Sequence, residues 1–133
     1  MTITLSADAT VLELDPDLYW SDEHWSPVVQ STEPSVTGAL IIDTGLMQAG
    51  RPITLEPEDD RSGQMTRVVL DQLRAWAAEP GLVLTLTLRG TTRSVMFRHG
   101  AGGDSAISAR PMVHFNDVQS ADWYFVTLRF FEV

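Results

Sequence analysis

The sequence predicts an α+β fold, mainly antiparallel β-sheet in a sandwich or split barrel, with one α-helix packed against it. Three observations carry this. Several apolar segments are short and alternate apolar with polar or β-branched residues, as in "TITLS", "TVLEL" and "LVLTLTL". One stretch, about residues 66–79, has the spacing of a helix instead. A single helix cannot supply the crossovers of a parallel sheet, so the strands must pair largely antiparallel.

Taken in order, "TITLS" and "TVLEL" read as two small strands or one hairpin around "ADA". Residues 15–36 hold two of the four tryptophans among Pro, Ser, Asp and Glu and read as a long irregular segment with aromatic anchors. Long loops in small domains are usually functional or interfacial. "ALIID" has the continuous apolar character of a buried strand, Gly50 turns the chain into a short strand at Ile53 to Leu55, and "PEDDRSG" is a solvated connection.

The helix follows from "MTRVVLDQLRAWAAEPG". Val69, Leu70, Leu73, Trp76 and Ala77 make one apolar stripe, Thr66 stands where an N-cap would, and Pro80 and Gly81 end the run. A hairpin then turns at "RGTTR" from "LVLTLTL" into "SVMFR". "HGAGGDS" is a glycine-rich loop, and "AISARPMVHF" and the last strand form a second pair across "NDVQSAD".

The last strand is apolar on both faces. Tyr124, Val126, Leu128 and Phe130 point one way and are expected in a buried row. Trp123, Phe125, Thr127, Arg129 and Phe131 point the other way. A strand with one wet face would not carry that pattern, so a helix or a neighbouring subunit is expected against its second face.

A chain of 133 residues is expected to form one domain spanning residues 1–133. With 44% hydrophobic and 20% charged residues its composition is that of a globular protein. It has no apolar run of about 18 residues, and its start lacks the basic and long apolar regions of a signal peptide, so neither membrane insertion nor export is expected. The absence of cysteine excludes disulfides, thiolate metal sites and cysteine nucleophiles. Residues 1–60 carry twelve carboxylates against Arg51 alone, whereas residues 61–133 carry six against eight arginines. An acidic surface of this kind repels nucleic-acid phosphates, so specific nucleic-acid binding is not expected.

No motif announces catalysis. "HGAGGD" is not followed by a helix and the chain has no lysine, which a phosphate cradle usually needs. His24, His99 and His114 share no ligand spacing, and "EPEDD" lacks the alternation of a calcium loop. There is no G-x-S-x-G. No catalytic residue, cofactor or metal is therefore expected. Trp20 and Trp25, in the acidic segment, can anchor the core or meet a partner, and as a pair they also suit a monomeric module holding a carbohydrate or peptide. Trp76 is expected between helix and sheet.

Read together, "WSPVVQSTEPSVTGALIIDTGLMQAGRPITLEPEDD", the helix opening "MTRVVLDQLRAWAAEPG", "LTLRGTTRSVMFRHG" and "ARPMVHFNDVQSADWYFVTLRFFEV" resemble small tail-tip proteins of long-tailed bacteriophages, over about residues 19–133. The architecture is similar to that of distal-tail and tail-tube proteins. The resemblance implies a non-catalytic structural protein of the virion, assembled in the host cytoplasm. It implies a ring of identical copies, hexameric or trimeric, with the tail tube, hub and tape measure as further partners. Trp20, Trp25, Trp123, Phe125 and Phe131 are then the candidate subunit contacts. A distal-tail protein commonly has an additional C-terminal domain, and these 133 residues are not expected to hold one.

Overall fold

Alternation in "ITLSA" and "TVLEL" produces the first structure of the chain. In the computed structural model, which describes residues 3–59, 63–100, 105–114, 116–119 and 121–133, β1 (Ile3–Ala7) and β2 (Thr10–Leu14) form an antiparallel hairpin. Its turn places Asp8 at φ 53°, a left-handed conformation that aspartate tolerates. Ile3, Leu5 and Ala7 face the core.

The remaining strands are β3 (Tyr19–Trp20), β4 (Val28–Pro34), β5 (Leu40–Leu46), β6 (Pro52–Glu56), β7 (Gln64–Thr66), β8 (Leu84–Leu88), β9 (Thr91–Phe97), β10 (Ile107–Pro111) and β11 (Trp123–Glu132). Nine strands make one continuous sheet in the order β2-β1-β8-β9-β11-β6-β3, with β7 and β10 also on β11. Every pairing is antiparallel. The fold is thus the mainly-β α+β class that the sequence predicts.

The β8–β9 hairpin turns at Arg89 and Gly90, with φ 52° and 77°. Two successive positive φ values match the right-handed twist of the flanking strands.

β11 organises the whole. Trp123–Phe125 pairs with β7 and Leu128–Phe131 with β6, while Tyr124–Leu128 pairs with β10 and Phe130–Glu132 with β9. Both edges of the strand are therefore occupied along nearly its full length. Tyr124, Val126, Leu128 and Phe130 form the expected buried row, and the Phe130 and Phe97 rings pack 5.0 Å apart.

The opposite face of β11 is covered differently from the expectation of a helix or a subunit alone. Arg110 lies over the Phe125 ring at 4.7 Å and Arg98 over the Phe131 ring at 5.6 Å. Guanidinium groups keep their hydration at the rim while shielding the ring faces, so arginines on neighbouring strands roof these aromatics.

The helix, α1 (Arg67–Ala77), buries Leu70, Leu73 and Trp76 in the core, as the stripe predicts. Thr66 occupies the N-cap position in an extended conformation, but its side chain makes no capping bond. The first helical amide is satisfied from β11's approach instead, since Arg67 N donates to Asp122 O at 2.9 Å. Arg67 also donates to the Tyr124 hydroxyl at 3.0 Å and pairs with Asp71 at 3.1 Å; these two partners raise its already high pKa, Tyr124 contributing most. Helix and final strand are thereby tied at a single residue.

Two expectations fail in one place. The irregular segment expected over 15–36 contains β3 and all of β4, and Leu40 to Asp43 of "ALIID" open β5, none of whose residues is buried. In "VVQSTEP" only two residues are large and apolar and a proline closes the run, so period-two alternation is faint. The segment becomes a strand because β5 supplies its hydrogen-bond partners, and no core face is involved.

Candidate functional site

β4 and β5 pair only with each other, outside the main sheet, and form an arm. The turn is tightly knit: Ser35 N donates to Ala39 O at 2.7 Å, Gly38 N to Ser35 O at 3.0 Å and Ala39 N to Ser35 Oγ at 3.0 Å, with Gly38 at φ 87°. A side chain at that φ would be strained, which is why "SVTGA" ends the arm. At the root, Met47 N donates to Pro27 O at 2.8 Å, and Gly50 N to Glu132 O at 3.0 Å, anchoring the returning chain to β11.

Register sorts the arm into two unlike faces, because directly paired residues project to the same side. The pairs Val28–Leu46, Gln30–Thr44, Thr32–Ile42 and Pro34–Leu40 share one face, which carries no ionisable group. Val29–Gly45, Ser31–Asp43 and Glu33–Ile41 share the other, which is acidic. One sheet thus presents an apolar side and an anionic side.

Nothing in the described chain covers either side. Val28, Val29, Val36, Leu40, Ile41, Ile42, Leu46 and Met47 are all more than two-fifths exposed, and Val36 at the tip is fully so. Four of them, Val28, Leu40, Ile42 and Leu46, share the face without ionisable groups, and a contiguous exposed apolar face is unusual on a monomer. An isolated two-stranded hairpin is also only marginally stable in water. Its geometry suits a surface that is completed by another molecule.

Beside the arm's root lies an apolar groove of about 560 Å³ between Met47, Met96, Phe97 and Phe131. Glu132, the one ionisable side chain in its wall, is ion-paired with Arg93 at 3.1 Å. A second, more polar cavity of about 330 Å³ lies on the other side of the Met47–Gly50 segment, walled by Trp25, Pro27, Arg51 and Arg93.

The five aromatic residues expected at subunit contacts do not gather in one place. Trp20 is interior, 5% exposed, and lies under Arg51, Arg93 and Arg89, whose guanidinium carbons stand 4.9, 5.4 and 5.6 Å from its ring centroid. Arg89 is held there by an ion pair with Glu23, and Arg51 by a 2.7 Å bond to the Glu23 carbonyl. Phe125 is also interior. These two are covered by their own chain and offer no free contact surface, and Trp20 cannot stack on a carbohydrate or peptide as the binding-module alternative needs.

Trp25 and Phe131, by contrast, are half-buried and wall the two cavities at the arm's root. Trp123 is 51% exposed at the opposite end of β11, beside Val69 and Thr66.

Sequence reasoning missed the arm's own apolar residues. The available signal was "EPSVTG", a turn between two segments of matching length, but a continuous "LIID" run reads as interior when no partner is known.

His24, His99 and His114 are all exposed, and among the described residues no three His, Asp or Glu side chains converge as a metal site would require. Residues 101–104 of the glycine-rich loop, Asp60 of "EPEDD" and Phe115 lie outside the described residues.

The chain matches no family model, no curated protein and no solved structure.

Proposed function

We propose that this protein is a non-catalytic structural subunit of a bacteriophage tail tip or baseplate, assembling as a distal-tail or tube-like ring that joins the tail tube to the hub. The observation that carries the reading is the arm: a well-formed hairpin with an apolar face and an acidic face, projecting from a finished core and covered by none of the described residues. A soluble monomer gains nothing from such a surface, whereas an assembling subunit uses it.

The charge pattern supports the same reading. The chain carries a formal net charge of −9, and an acidic lining would let DNA pass without adhering. The ordered motifs that resemble small tail-tip proteins supply the phage context.

The test is direct. Particles from the phage carrying this gene are purified, their proteins identified by mass spectrometry, and the chain located by immunogold labelling. The expected result is a stoichiometric virion protein at the tail tip. Its absence from intact tails, or its release as a free monomer from infected cells, overturns the reading.

A further inference from the structure

We infer that the end of the arm, with Val36 and Leu40, seats in the groove between Met96, Phe97 and Phe131 of a second copy of this chain. The inference rests on the multi-copy part of the function proposed above and not on its phage context.

Knob and hole match in chemistry. Residues 34–42, "PSVTGALII", contain no charged side chain and hold the fully exposed Val36. The groove walls are methionine, alanine, phenylalanine and valine, with Glu132 already paired to Arg93. At about 560 Å³ the groove has room for two aliphatic side chains, and Met47 and Met96 give it adaptable walls.

The flanks match in charge. Glu33 and Asp43 lie on the arm on either side of its neutral end. Near the groove, Arg98 stacks over Phe131 and donates to Thr54 Oγ1 at 3.1 Å. Arg129, two residues from Phe131 on the same face of β11, donates to Ser105 O at 2.7 Å and Ser108 Oγ at 2.9 Å. Neither arginine has a carboxylate partner among the described residues. An acidic arm entering an arginine-flanked groove is complementary, and such complementarity selects partner and register.

The contact must be between chains. Met47 is both the residue after the arm and a wall of the groove, so the arm's root borders its own groove. Strands of seven residues carry the tip roughly 24 Å away. Each copy then donates its arm from one surface and receives another on a different surface. Contacts of that kind propagate head to tail and close into a ring when the rotation permits.

The chain has no cysteine, so introduced thiols report without background. One preparation carries Val36→Cys and another Met96→Cys, and each is oxidised alone and in a mixture of the two. A disulfide forms only when the two Cα atoms come within about 7 Å. The expected result is a covalent dimer that predominates in the mixture, and covalent multimers from the double variant. Val36→Asp is expected to weaken self-association at least tenfold by analytical ultracentrifugation while leaving the thermal midpoint of the subunit unchanged. Full self-association of Val36→Asp overturns the inference. So does a mixture that yields no more dimer than the separate variants, a wild-type chain that stays monomeric at every concentration, or a Val36→Cys thiol that links to a different protein in virions. The two proposals fail separately: the chain present in tails without this cross-link removes the contact alone, and the cross-link without tails removes the phage context alone.

Discussion

The guanidinium of Arg51 lies over the indole of Trp20, 4.9 Å from the ring centroid, and the indole beneath is almost wholly enclosed. Arg89 and Arg93 close over the same ring, so a single buried aromatic organises three arginines of an otherwise acidic protein. Trp20→Ala is expected to cost about 3–5 kcal/mol, from lost burial and lost cation–π contact. The indole Nε1 meets no acceptor among the described residues. Trp20→Phe removes that orphaned donor as well as some volume, and is expected to cost under about 1.5 kcal/mol. Urea unfolding of the two variants checks the order; equal losses would mean that the ring contributes little beyond its N–H.

Trp76 tests the helix–sheet layer. It is buried with Leu70 and Leu73, and α1 has no side-chain N-cap bond to hold it independently. Trp76→Ala is expected to destabilise by about 3–5 kcal/mol, a large share of a typical 5–15 kcal/mol. An unchanged thermal midpoint contradicts this packing.

Gly63 tests a backbone constraint. Its φ is +73°, and a Cβ built there would stand 2.7 Å from the Cβ of Pro57 and 2.8 Å from its Cα. Its carbonyl accepts from Val126 N at 3.1 Å, in the middle of β11, so the backbone has little freedom to withdraw. Gly63→Ala is expected to cost about 2–4 kcal/mol, more than a Gly→Ala change at an unstrained turn. Gly81→Ala, at φ +75° with open space around it, is the matched control and should lose less. Equal losses would show that φ alone, and not the Pro57 contact, sets the cost.

What the sequence reveals depends on whether an element is stabilised by burial. The stripe of Leu70, Leu73 and Trp76, the alternation of Leu84, Leu86 and Leu88, and the row from Tyr124 to Phe130 are all legible because a core selects their period. The arm has no such selection: Leu40, Ile41 and Ile42 look like interior residues and lie in solvent. Trp20 stands in polar, proline-rich surroundings that leave core anchoring and partner contact both open, and arginines distant in sequence decide it by enclosing the ring. An exposed apolar run is hard to tell from a core strand in one sequence, because the residue types are the same and only the fold shows what covers them.

The final prediction separates arm from core by two deletions. Phe130 is fully buried, pairs with Ile53 on one side and Phe97 on the other, and stacks on the Phe97 ring. Removing Phe130 to Val133 takes away the pairing of β11 with β9 and half of its pairing with β6, together with the fully buried Phe130 ring, so no cooperative thermal transition is expected. Replacing residues 28–46 with a short Gly-Ser turn removes far more chain but no buried side chain, because every residue of β4 and β5 is exposed. Far-ultraviolet circular dichroism should show the armless body unfolding cooperatively with a midpoint within about 4–8 °C of the intact chain, corresponding to about 1 kcal/mol for a domain near this size. Self-association should be lost in the armless protein. A truncated chain that still melts cooperatively shows that the end of β11 is dispensable to the core. An armless chain that fails to fold shows that the hairpin supports its own body.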